Sequence, residues 1–485
     1  MAPDLNSLSP PSAEVPSDSE PSKPNTPNLD RLAAELIQFD SACYPSPLCA
    51  PSRMSMVTGL LPTKIGAYVP TYARYLRTKG YHTALAGKMH FVGDQLHGYK
   101  QRLTSDIYPA DFGWAVNWDD PDARLEWYHN ASSILQAGPC GRSNQLDYDE
   151  EVMFDQSQSK QTFCLTVSLT HPHNPYTITK KYWDLYEDTD VSLPEVRITK
   201  QEQDSHSKRL LQICDLWDQS FPDEQTKRAK RAYYGSVSYV DDCIGRLLET
   251  LEGAGLADST IFIFSGDHGD MLGERDLWYK MSYFESSVRV PMLVHYLQRF
   301  HPHLVRQNVS TLDILPTICD LVGTKPASYL PMDGTSLLPH LEGWERSAAQ
   351  NTIFAEYMGE GTAILERDPK ELNNLARSRD IGSDNNTAEG QEARRVFEEF
   401  EAEANAKWDF EGITTKAFAS QRARRLVWEA LREGEFSSWD FDPIDDGRKR
   451  YIRSTIPLDK LERRARFPFV STHGYQSKAV SLTRE

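Results

Sequence analysis

Ile261-Phe262-Ile263-Phe264-Ser265-Gly266-Asp267-His268-Gly269-Asp270 sets four consecutive apolar, β-prone residues against six small or polar ones. An apolar run without alternation suits a strand covered on both faces, as in a parallel α/β sheet. Two other stretches share the design. Tyr81 to Ala86 runs into Gly87-Lys88-Met89-His90, and Thr162 to Leu169 runs into Thr170-His171-Pro172-His173. Helical spacing separates them, as in 231–251 with Val237, Val240, Ile244, Leu247 and Leu248. The order strand, helix, strand implies an α/β fold. We expect a large, mostly parallel central sheet flanked by helices, with a smaller C-terminal α+β region. Ligands in such sheets bind at the carboxyl ends of the strands, where these polar segments fall.

Composition narrows the class. The chain has 485 residues, 39% of them hydrophobic and 11% aromatic, enough for one large domain and a smaller one. Its formal net charge is -17 with no long Lys/Arg run, which argues against nucleic-acid binding. Seven cysteines without a CxxC pair argue against a disulfide framework and a zinc ribbon. No basic segment followed by an apolar stretch opens the chain, and no apolar run is long enough to span a membrane. A soluble cytoplasmic protein is expected.

Residues 1–27 are rich in Pro, Ser, Asp and Glu and are expected to be disordered. Order is expected from Asn28, with Leu29, Leu32, Ala33 and Leu36 at helical spacing and Ile37-Gln38-Phe39 as a short strand. A catalytic α/β domain then spans 28–350, and 351–485 forms a C-terminal region with charged helices.

Cys49-Ala50-Pro51-Ser52-Arg53 is the most informative loop. A lone cysteine is more often a small buried hydrophobe than a nucleophile. Here Pro51 fixes a turn, Ser52 can cap, and Arg53 adds a permanent cation. Met54 to Thr58 reads as helix, ended by Gly59. A helix N-terminus with an arginine is an anion site, and a cysteine there is activated. By itself Lys88-x-His90 would read as a solvated pair, and Asp267-His268-Gly269-Asp270 as a polar turn.

Together these segments resemble the sulfatase family, within the alkaline phosphatase superfamily. Cys49-x-Pro51-Ser52-Arg53 with Thr58-Gly59 is similar to its signature, whose cysteine becomes formylglycine. The hydrated aldehyde, a gem-diol, attacks the ester sulfur. By the same resemblance, Arg53, Lys88, His90, His173 and Lys280 join Cys49 as catalytic residues. Asp267 and His268, with the Cys49-derived formylglycine, would hold a divalent metal: Ca2+, or Mn2+ or Mg2+. His171 fits a site role or a structural one equally. Gly87 to Trp114, Trp127 to Asn130 and the tail Leu461 to Phe467 look like the choline sulfatases of that family. Choline O-sulfate is the substrate implied. Its quaternary ammonium is recognised by aromatic faces through cation–π attraction, so Trp114 and His129 are the candidate substrate-binding residues. Relatives associate through C-terminal tails, so a homo-oligomer is expected.

The chain also departs from the family. Sulfatases begin with a buried strand ending in metal-binding aspartates, but Asp4, Asp18 and Glu20 follow no apolar run. The first strand, and its metal ligand, are expected to be missing. Shortened stretches follow Gly66-Ala67-Tyr68, precede residue 162, and follow Glu356-Tyr357, where family strands are expected to be lost. Two other readings stay open: a non-catalytic paralogue, and a phosphate or phosphonate monoesterase of the same superfamily.

Overall fold

The computed structural model describes residues 23–33, 35–66, 69–92, 94–107, 128–154, 162–325, 331–344, 351–357, 361–364, 388–432, 462–463 and 465–468. Twelve strands occur among them: β1 (Ile37–Cys43), β2 (His82–Gly87), β3 (Gln101–Arg102), β4 (Gly138–Cys140), β5 (Phe163–Ser168), β6 (Thr177–Thr179), β7 (Phe262–Ser265), β8 (Arg289–Val290), β9 (Met292–His295), β10 (His303–Ser310), β11 (Phe354–Tyr357) and β12 (Gly361–Ile364). One sheet runs β10-β1-β9-β7, with β8 also on β1, and a second runs β3-β2-β5. The pairings β1–β10, β2–β3, β2–β5 and β4–β6 are parallel.

β9 departs from the parallel arrangement of the first sheet. It pairs antiparallel with β1, from Ile37 opposite Val294 to Gln38 opposite Leu293, and with β7, from Phe262 opposite His295 to Ser265 opposite Met292, so β7 itself runs in the same direction as β1 and β10. An unalternating apolar run reports cover on two faces, not strand direction. β2 and β9 are almost wholly buried, whereas every residue of β5 and β7 is half-buried. Among the described residues β5 pairs only with β2 and β7 only with β9. The pair β11–β12, antiparallel from Phe354–Ile364 to Tyr357–Gly361, stands where strands were expected to be lost.

Several boundaries also move. The first helix spans Pro27–Ala33, and Asp241 caps it by accepting from the Asn28 and Leu29 amides at 3.0 and 2.8 Å. Thr26 is buried and the Asn25 amide donates to the Tyr186 hydroxyl, so packed chain begins before Asn28. The helix read as 231–251 spans Asp223–Gly253, with Ala229, Ala232, Tyr233 and Val237 buried toward β4 and β6. β1 runs four residues past Phe39 because Ala42 and Cys43 continue its ladder to β10. Residues 1–22, which include the region where the first strand was expected to be missing, lie outside the described residues. C-terminal to residue 350, the hairpin is followed by helices at Ala388–Lys407 and Phe410–Arg432. No helix among the described residues is long and apolar enough to cross a membrane.

Candidate active site

The helix carrying the signature loop begins at Cys49 itself and ends at Thr58, with Gly59 in the left-handed conformation at φ 67°. It starts five residues before the expected Met54, so the thiol stands in the first turn, where the unpaired amides favour negative charge. Ser52 does not cap this helix. Its hydroxyl donates to the Asp267 carbonyl at 2.6 Å instead, tying the helix to the segment after β7.

Arg53 ties three strand ends together. Its Nε donates to Asp267 Oδ2 at 2.8 Å, and its Nη1 to the Lys88 carbonyl at 2.7 Å and the Ser168 hydroxyl at 2.5 Å. Burial raises the Asp267 carboxyl, but the Arg53 guanidinium and His268 together with the smaller contributions outweigh it, and Asp267 stays well below the carboxylate range.

Around Cys49 the expected side chains gather. Its Sγ lies 2.9 Å from His268 Nε2 and 4.0 Å from Lys88 Nζ. Burial alone would push the thiol up. Lys280, Lys88 and His268 reverse this and hold it well below the ordinary thiol value. His173 donates Nδ1–H to the Asn174 carbonyl at 2.6 Å, which leaves Nε2 to accept from Lys280 Nζ at 2.7 Å. Burial and the two lysines push His173 far down, and burial with Lys88 lowers His90, so both imidazoles are neutral near neutral pH. Burial likewise lowers Lys88. Lys280 is flanked by Tyr279 and Met281 at φ 68° and 74°, a strained pair that the surrounding packing must hold. The Tyr279 hydroxyl donates to the Asn130 carbonyl at 2.5 Å and its amide to Asp270 Oδ1 at 3.1 Å.

His129 lies at the rim of this cluster. Its ring stacks on Tyr279 at 4.5 Å and 18°, and stands 6.0 Å from His173. Trp114 lies outside the described residues. His171 is drawn away: it donates Nδ1–H to Asp149 at 2.6 Å, and Asp149 also accepts the Thr170 and His171 amides. It is a structural histidine that fixes the turn into His173.

Asp149 and Asp106 did not stand out as site residues. The signal for Asp149 is an acid on the apolar face of a helix, in step with Leu146, Val152 and Met153. Asp106 lies in the Thr104-Ser105-Asp106 stretch already singled out for its resemblance.

A metal has part of a site here. Cys49 Sγ and one ring nitrogen each of His173 and His268 lie within 4.8 Å of one another. A hard cation such as Ca2+ takes six to eight oxygens. The described residues of this cluster offer Asp267 as their carboxylate, and its Oδ2 is committed to Arg53. This donor set does not fit Ca2+, and no step below passes through a metal.

Comparison with known proteins gives the arrangement a lineage. The family model "Sulfatase" matches residues 17–324, and "Choline sulfatase enzyme C terminal" matches 415–467. A choline-sulfatase of Rhizobium meliloti is 39% identical, over 92% of this chain and 94% of its own. An arylsulfatase of Clostridium perfringens is 28% identical, over 73% and 85%. The phosphonate monoester hydrolase of Agrobacterium radiobacter superposes with a TM-score of 0.61 at 20% identity, over 79% of this chain and 91% of that one, a likeness of fold. With a family model across more than half its length and a relative matched over nearly all of it, the chain belongs to the sulfatase family.

Proposed function

We propose that this sulfatase hydrolyses choline O-sulfate to choline and sulfate, with a formylglycine made from Cys49 as nucleophile. The substrate is carried by the 39% identity to a choline-sulfatase across 92% of the chain. The sulfate-ester chemistry is supported by the two ammonium groups and three imidazoles around Cys49.

Formylglycine at position 49 would supply a gem-diol oxygen to attack the ester sulfur. Lys88 and Lys280 would hold the sulfate oxygens and offset charge as it builds. His90, neutral and buried beside Cys49, would accept the gem-diol proton, and Lys280, whose ammonium donates to His173 Nε2, would supply one through that pair to the departing choline oxygen. Arg53 is committed to Asp267, Lys88 and Ser168, so it holds the frame rather than the substrate. We assign the trimethylammonium end to Trp114 and to His129, which packs beside Tyr279.

Two measurements test this reading. Mass spectrometry of the peptide containing Cys49 should find formylglycine, and unconverted cysteine in an active preparation would refute the nucleophile. Trp114→Ala should lower kcat/KM for choline sulfate at least about tenfold more than for an aryl sulfate. Equal losses on both would remove Trp114 from the pocket.

A further inference from the structure

Asp106 belongs to none of the roles above, yet the turn bearing Lys88 and His90 is organised around it. β3 zips onto β2, with Ala84 opposite Gln101 and Leu85 opposite Arg102, and the Leu103 amide donates to the Leu85 carbonyl at 2.7 Å. This alignment carries 104–106 past the end of β2, alongside Gly87-Lys88-Met89-His90. There the Thr104 hydroxyl accepts the Gly87 amide at 2.8 Å. Asp106 Oδ2 accepts the Met89 amide at 2.9 Å and the His90 amide at 2.7 Å.

The turn needs such a hold. His90 sits at φ 56°, a left-handed conformation that a non-glycine residue adopts only when its surroundings enforce it. Asp106 is 3% exposed, so water does not share the task. Burial alone would raise its carboxyl, but Arg102, His90 and the two amides bring it below the usual value, so it is ionised. Arg102 reaches Asp106 at 3.1 Å and is itself locked to the Gly87, Thr104 and Gln95 carbonyls. The other carboxylate oxygen, Oδ1, has no hydrogen-bond partner among the described residues. The acid is therefore committed to the turn through a single oxygen.

We infer that Asp106 is a positioning residue: its ionised carboxylate clamps two consecutive amides and thereby sets Lys88 and His90 against the sulfate ester. This deepens, and rests on, the proposed sulfate-ester hydrolysis. Asp106→Asn keeps the size and one acceptor oxygen but removes the charge shared by the two amides and Arg102. A misplacement of catalytic groups by a fraction of an ångström lowers turnover more than binding, so kcat for choline sulfate should fall by about thirtyfold or more while KM rises by about fivefold. Thermal denaturation of the same variant separates this from unfolding: kcat is taken per folded molecule. A parent-like kcat per folded molecule overturns the assignment. Binding of inorganic sulfate, followed by calorimetry, reads Lys88 without turnover and keeps the two proposals apart. If the parent binds sulfate but hydrolyses no ester, the functional reading fails. The positioning role then stands if Asp106→Asn weakens sulfate by about fivefold or more, and falls if affinity is unchanged. A parent that neither binds sulfate nor turns over overturns both.

Discussion

Arg53 is 5% exposed, and its guanidinium meets a carboxylate, a backbone carbonyl and a hydroxyl from three separate strand ends. A buried ion pair contributes little over an apolar substitute, but losing one partner strands the other. Arg53→Met would take the guanidinium away from the buried Asp267 carboxylate. We expect a loss of about 3 kcal/mol in denaturant unfolding and no measurable turnover. Unfolding free energy within about 1 kcal/mol of the parent would show that water reaches Asp267 and that the pair is not structural. The neighbouring cations make the same point from the other side. In the unconverted chain Lys88, Lys280 and the histidines are tolerable together because the Cys49 thiol and Asp267 favour their charged forms, and because burial pushes His90 and His173 toward their neutral forms.

Gly87 closes β2 at φ 108°, and a Cβ there would collide with the Ser168 carbonyl of β5. That carbonyl accepts the Lys88 amide at 2.9 Å, so the close approach of the two strands is what aims the turn. Gly87→Ala should cost at least about 2 kcal/mol in thermal or chemical unfolding, and more activity than stability alone explains. A variant of parent stability would mean that β2 and β5 can separate without loss. How much was legible beforehand follows from such details. The strand ends and the chemistry they bear could be read from apolar runs that stop at Gly-Lys, Thr-His and Gly-Asp-His. Which strands pair, and in which direction, could not, because β9, the antiparallel strand between β1 and β7, comes from later in the chain. Cys49, Arg53, Lys88, His90, His173, His268 and Lys280 were legible as one set because the signature and the strand-end pattern agree. The carboxylates that hold their loops, Asp106 and Asp149, were not, since a buried acid looks like a surface acid until its amide partners are known. Trp114 is a different case: the reading of it stands on the sequence.

Glu462 and Arg466 dock the segment that bears them against the stretch from Gln136 to Gln145. Arg466 donates to the Gln136 carbonyl at 2.9 Å, and Phe467 pairs with Arg142. Burial pushes the Glu462 carboxyl from 4.5 up to about 7. Between those values the folded chain keeps a proton that the unfolded chain releases. Stability from this group is therefore complete below pH 4.5 and is lost as pH rises through 7, by about 3 kcal/mol in all. Glu462→Gln should remove that slope from a pH series of unfolding free energies, and an unchanged slope would place its origin elsewhere. At the scale of the whole molecule the question is what the protein cleaves. Steady-state kcat/KM on matched choline O-sulfate, an aryl sulfate, a phosphate monoester and a phosphonate monoester answers it most directly. The proposed hydrolysis requires choline sulfate to exceed each of the others by about a hundredfold or more. A phosphonate or phosphate ester as the best substrate, or no turnover of choline sulfate by protein whose Cys49 is converted, would contradict it.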